Sequence, residues 1–288
     1  MTAAAPTVPT TTTVPASTTR TIDLPGGLTV TVQEFGENTD GTGVLMLHGG
    51  AGPRTMAGFA AGMSQHAYVV VPTHPGFDGT PRPDRIDTVA DLATTYLDLL
   101  DVLGLRGVLV AGNSVGGWIA AEMGVRDNRG AIGALVLLAS TGIAPVPPLE
   151  IADPAVLGPV RTGELAFHKP QLRLDPAALS DEQKAAMGAN QRTLAVYAGD
   201  PFCYDPKLRG RLHRVTVPVL VLAGEQDGIV PVAYERDLAD SFPRATFHVV
   251  PEAGHFPHIE QPGAVFGAIG DFVDTEVKPE VKPEVEGN

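Results

Sequence analysis

The sequence predicts an α/β chain: a mostly parallel, doubly wound sheet of eight strands with helices on both faces and a helical insertion late in the chain. Three observations lead there. Short, almost uniformly apolar runs recur, as in strands buried on both faces. Segments with the apolar spacing of helices separate them, the alternation of a parallel sheet with helical crossovers. One proline-richer stretch, 141–216, breaks the alternation and reads as an inserted cap or lid.

The expected strands are, in order, Arg20 to Leu24, Thr29 to Phe35, Gly43 to Leu47, Tyr68 to Val71, Gly107 to Ala111, Ala134 to Ala139, Val217 to Ala223 and Thr246 to Val250. Between the fourth and fifth, Val89, Leu92, Tyr96, Leu99, Leu100 and Leu103 fall on one helical face, and Thr88 with Asp91 forms a capping pair at its start. Helices are also expected over Val115 to Val125 and Pro262 to Val273, and helical pieces in the insertion around Glu164 to His168 and Ser180 to Tyr197. The core is then 20–140 with 217–274, and the cap is 141–216. Residues 1–19, rich in Thr, Ala and Pro, and residues 275–288, with Val-Lys-Pro-Glu twice, are expected to be disordered tails.

At 288 residues and 43% apolar content the chain can bury one sizeable core. No apolar run approaches the ~18 residues of a spanning helix. The first nineteen residues contain no Lys or Arg and no continuous apolar stretch, unlike a secretory signal, so a cytoplasmic setting is expected. A formal net charge of −13 argues against nucleic acid or an anionic membrane as partner, because both attract lysine and arginine. The expected partner is a small-molecule substrate, with self-association into a homo-oligomer left open. The single cysteine, Cys203, excludes an internal disulfide and a cysteine metal cluster.

The chemistry starts at Gly112-Asn113-Ser114-Val115-Gly116, which follows the apolar run Gly107 to Ala111 and precedes a helix. Glycine two before and two after the serine lets the backbone turn sharply and expose the hydroxyl, so Ser114 is the candidate nucleophile. A serine hydroxyl is a weak nucleophile without a base and an acid to orient it. Both occur downstream at strand-to-helix loops: Asp227 at the apex of Gly224 to Pro231, and His255 in Pro251 to Phe256.

The order Ser114, Asp227, His255, each at the carboxyl end of a strand, resembles that of the α/β-hydrolase fold family, over roughly Arg20 to Asp274. His48-Gly49-Gly50-Ala51-Gly52 is similar to the family's oxyanion loop, and the resemblance assigns the oxyanion donors to the Gly50 and Val115 amides. Pro72 to Thr80 resembles its PGxGxS loop, with Asp78-Gly79-Thr80 in place of the final pair. The resemblance implies an acyl-enzyme on Ser114 with neither metal nor organic cofactor.

His258 and Glu225 are the alternative base and acid, disfavoured by position. His48 is expected to anchor its loop, and Trp118 to pack beneath the elbow. His66, His168, His213 and His248 lack paired ligand spacing. His74, Phe167, Tyr197, Phe202 and Tyr204 are the expected pocket residues, although each has a purely packing alternative. The leading expectation is a serine hydrolase of a small or medium, rather apolar ester or lactone. Gly112 to Gly117 also looks like the GNSxGG of meta-cleavage-product hydrolases, which break a C–C bond, but Phe256 stands where those relatives carry tryptophan. A noncatalytic ligand-binding member of the fold is the third reading.

Overall fold

The computed structural model describes residues 17–277. Its strands are β1 (Ser17–Leu24), β2 (Leu28–Phe35), β3 (Val44–Leu47), β4 (Val69–Pro72), β5 (Val108–Asn113), β6 (Ile132–Leu138), β7 (Gly142–Ile143), β8 (Tyr204–Asp205), β9 (Val219–Gly224) and β10 (Ala245–Val250). Eight of them form one sheet in the order β1-β2-β4-β3-β5-β6-β9-β10, and β7 pairs with β8 separately. Only β2 runs antiparallel to its neighbours β1 and β4; the other pairings are parallel.

The helices are α1 (Ala57–Met63), α2 (Val89–Leu103), α3 (Val115–Arg126), α4 (Pro154–Ala166), α5 (Asp181–Ala198), α6 (Val232–Asp240), α7 (Pro257–Glu260) and α8 (Pro262–Phe272). The period-2 pleat of the central strands divides the core into two layers. Val108, Val110, Leu135 and Leu137 face α2, α3 and α6, with Leu92, Tyr96, Ile119 and Leu238. Ala111, Ala134, Val136 and Leu222 face α1 and α8, with Phe59, Val265 and Phe272.

α2 spans the expected range. The Thr88 hydroxyl accepts from Asp91 N–H while the Asp91 carboxylate accepts from Thr88 N–H, and Gly104 ends the helix at φ 67°. α3 is buried from Val115 to Val125, its one charged residue in that stretch, Glu122, paired with Arg126 and Arg211, and this burial makes the elbow at its start rigid.

Two boundaries differ from expectation. β1 begins at Ser17, inside the segment expected to be a tail, because the β-branched Thr18 and Thr19 continue the hairpin opposite Glu34 and Gln33. At the other end 273–277 add a π-helical turn to α8. The rest of both expected tails, 1–16 and 278–288, lies outside the described residues. Among the described residues no helix is long and apolar enough to cross a membrane.

Candidate active site

Ser114 sits between the last residue of β5 and the first of α3, at φ 57° and ψ −121°, a backbone conformation that side chains other than glycine rarely adopt. Its surroundings hold it there. A Cβ at Gly112 would overlap the Gly116 carbonyl, and one at Gly116 would overlap the Leu47 carbonyl, so the turn closes against both itself and β3. Thr141 N–H donates to the Ser114 carbonyl at 3.3 Å. The Asn113 amide donates to the carbonyls of Leu138 and His255, at 3.1 and 3.0 Å, and so ties the elbow to the end of β6 and to the histidine loop.

The structure brings Asp227 and His255 together, both buried, with His255 Nδ1 donating to Asp227 Oδ2 at 2.8 Å. Asp227 Oδ1 accepts the Ile229 and Val230 amides at 2.7 and 3.0 Å, which fixes the carboxylate before the imidazole meets it. With Nδ1 carrying the proton, Nε2 is left as the acceptor. The alternatives are placed otherwise. Glu225 is exposed and accepts from Gln226 and Glu252. His258 is buried without a carboxylate, its Nε2 on the Thr55 carbonyl at 3.2 Å.

Val115, first residue of α3, has an amide with no intrahelical acceptor, and the Gly50 amide makes no backbone hydrogen bond. His48 holds the Gly50 loop from below. His48 Nδ1 donates to the Gly49 carbonyl and its Nε2 accepts from His74 N–H. The two rings stack at 3.7 Å, and His74 Nε2 donates to the His48 carbonyl while Tyr96 donates to His74 Nδ1. His74 is therefore a buried strut, the loop-holding alternative to its expected pocket role: both ring nitrogens are engaged within the protein.

This packing has a pH signature. Burial holds His48 and His258 at about 4 and His74 well below the ordinary histidine value of 6.5. Because these values lie below the unfolded one, the unfolded chain binds more protons between pH 6.5 and about 4, so stability is full above this window and is lost as pH falls through it. Glu235 and Asp98 work oppositely, since burial raises both, but the three histidines are the groups that titrate through this window in the unfolded chain and outweigh them. The thermal midpoint should fall steadily from pH 7 to pH 5; a flat or rising midpoint would refute neutral burial of these histidines.

The insertion grips the site at two places. One face of α5 presents Asn190, Thr193, Leu194 and Tyr197 at helical spacing. Asn190 exchanges two hydrogen bonds with Asp78, Thr193 donates to the Gly76 carbonyl and Tyr197 to the Pro75 carbonyl, and Leu194 packs where a Gly50 side chain would stand. Tyr197 thus anchors a loop through its hydroxyl and stacks on Phe77, the packing alternative to its expected pocket role.

The second grip is the end of α4. The Leu165 carbonyl accepts Gly228 N–H, the Ala166 carbonyl accepts His255 N–H, and the Glu260 carboxylate accepts the amides of Gly254, His168 and Lys169. Phe167 then stacks on Phe256 at 4.9 Å, beside His255. Phe202 and Tyr204 lie half-buried at the β7–β8 ribbon, and Trp118 is buried against Gly142 behind the elbow. His66, His168, His213 and His248 are exposed, and the described residues contain no cluster able to hold a metal ion.

Sequence reasoning missed Asn113 and Glu260. Asn113 had a signal: a carboxamide closing an apolar strand must find partners once buried.

A model of the alpha/beta hydrolase family matches residues 44–268, from β3 into α8. The chain belongs to this family. Among its α/β-hydrolase relatives, 2-hydroxymuconate semialdehyde hydrolase of Pseudomonas putida is 28% identical over 252 residues, covering 82% of this chain and 88% of that one. A putative lipase from Acinetobacter baumannii has the same fold, with a TM-score of 0.75 at 22% identity over 91% of this chain and 92% of that one. Est816, an N-acyl homoserine lactone degrading enzyme, has a TM-score of 0.67 at 23% identity, covering 88% of this chain and all of that one (100%).

Proposed function

We propose that this α/β hydrolase cleaves a small or medium, rather apolar ester or lactone through an acyl-enzyme on Ser114. The observation that carries this reading is the His255–Asp227 hydrogen bond at 2.8 Å, tied by Asn113 to a serine held at a strained elbow. His255 Nε2 takes the proton from the Ser114 hydroxyl as the oxygen attacks the carbonyl carbon. Asp227 stabilises the imidazolium that results. The Gly50 and Val115 amides donate to the oxyanion, and His255 returns the proton to the leaving alcohol. Water activated by the same histidine then releases the acid.

Leu194 against the Gly50 loop and the Phe167–Phe256 stack beside His255 support an apolar acyl group. Phe202 and Tyr204 are proposed to extend that wall.

C–C bond hydrolysis is the second reading, favoured by the Gly112 to Gly117 motif and by the 28% identity to 2-hydroxymuconate semialdehyde hydrolase. Its anionic dienoate substrate calls for a cation near the site. Arg173, anchored by two of its guanidinium donors on the Phe167 carbonyl, keeps its charge beside the Phe167–Phe256 stack and is a candidate for that cation.

The test compares p-nitrophenyl esters from acetate to decanoate with a vinylogous diketone of the meta-cleavage type, on the same enzyme. The expected result is a medium-chain optimum and a preference for the best ester of about tenfold or more in kcat/KM, with the acyl group trapped on the Ser114 peptide by acid quench and mass spectrometry. Preference for the diketone would replace the ester reading with the C–C one.

A further inference from the structure

Behind the triad lies a second carboxyl group for which the mechanism has no use. Glu235, in the first turn of α6, has no exposed surface. Its Oε1 accepts the Ser140 amide at 2.7 Å; its Oε2 is buried with no hydrogen-bond partner, and no Lys, Arg or His pairs with it among the described residues. The ionisable groups around it are few. Asp227 stands on the loop preceding α6, Tyr234 is its neighbour on the helix, and Arg209 gives its charge to Asp237. β9 brings no ionisable side chain, and the one on β10, His248, is exposed.

What Glu235 holds is the floor of the elbow. Thr141 N–H donates to the Ser114 carbonyl, and Ser140 fills the space a Gly117 side chain would occupy. Tyr234 holds the next step of the same segment, its hydroxyl accepting from Ile143 N–H and donating to the Ile143 carbonyl. The helix that begins beside the acid loop therefore clamps the segment that supports the nucleophile. A carboxylate buried here without a cation, facing the negative Asp227, is far costlier than the protonated acid, and burial and Asp227 both push Glu235 upward.

Resting on the serine-hydrolase reading, we infer that Glu235 is a positioning residue: as the neutral acid it fixes the Ser140–Thr141 segment under Ser114 without adding a second charge behind Asp227. Its oxygen supplies the acceptor that Ser140 needs. Its neutrality leaves Asp227 as the carboxylate that orients His255.

The experiment compares wild type, E235Q and E235A. Glutamine keeps the neutral acceptor, so E235Q should hold kcat within about threefold and leave the acid limb of the kcat/KM profile within about 0.2 pH unit. E235A should lose kcat by about tenfold or more with KM little changed, because the nucleophile's support is loosened. Two readouts need no substrate. The infrared difference between wild type and E235Q at pH 7 should contain a protonated carboxyl C=O band, and Ser140 amide exchange should be slow in wild type and E235Q and fast in E235A. Loss of the band, or an acid limb that moves to lower pH by about half a unit or more in E235Q, would mean that Glu235 is charged in wild type and would overturn the inference. So would equal Ser140 protection in all three proteins, or a kcat in E235A equal to wild type. An inactive wild type that keeps the band and the exchange pattern would instead fail the hydrolase reading, while Glu235 would stand as the neutral clamp of that segment.

Discussion

Replacing Ser114 by Ala should lower kcat by about 10⁶-fold, and replacing Asp227 by Asn by about 10⁴-fold, with thermal midpoints close to wild type for Ser114→Ala. The second figure follows from where the protons sit. Asp227 Oδ1 accepts from Ile229 and Val230, so an Asn there keeps its carbonyl oxygen on those amides and turns its NH₂ toward His255. An NH₂ facing Nδ1 demands a lone pair, which drives the imidazole proton to Nε2, the nitrogen that must accept from Ser114. The base is then present, correctly placed and unable to act. Steady-state rates on the preferred ester, with background hydrolysis subtracted, check both values. A loss below about tenfold in Asp227→Asn would mean that the 2.8 Å hydrogen bond does not orient the base.

The residues legible in the sequence are those whose signal is local. The sheet strands were visible because each is a short apolar run, and α2 because Thr88 and Asp91 mark its start and Gly104 its end. Ser114, Asp227 and His255 stood out because each lies in the turn or loop that follows an apolar strand. What escaped depends on partners far along the chain. Glu260 reads as one more acid in a helical turn until His168 and Lys169, about ninety residues upstream (separations 92 and 91), bring it their amides. Glu235 likewise looks like a solvent-facing helix residue until Ser140, at a separation of 95, meets it. α4 was visible only at its end, because Gly158 at φ 73° and Pro159 interrupt its pattern. His74 was named at the pocket because its loop lies by the site edge and Tyr197 because it is an aromatic of the insertion; both satisfy buried backbone groups, a role that sequence position does not distinguish from substrate contact.

The elbow's rigidity makes one substitution type cut both ways. Gly116→Ala would drive a methyl group into the Leu47 carbonyl oxygen, with the His48 carbonyl close behind. Neither can retreat: Leu47 is paired with Gly112 in the β3–β5 ladder, and His48 is locked between Gly49 and His74. Overpacking against fixed backbone costs about 3 kcal/mol or more, which lowers the midpoint of a chain this size by roughly 6–12 °C. Activity should fall with it, because the displaced backbone carries both Ser114 and the Gly50 loop. Gly267→Ala, on the exposed side of α8, meets nothing within 4 Å and removes only unfolded-state freedom. That variant should gain about 0.4–1 kcal/mol and raise the midpoint by a few degrees at unchanged kcat. Calorimetry on the pair isolates the elbow, since both variants add the same methyl group to a helix. Equal midpoints for the two would mean that β3 yields to the elbow, and that Ser114 is held by its helix alone.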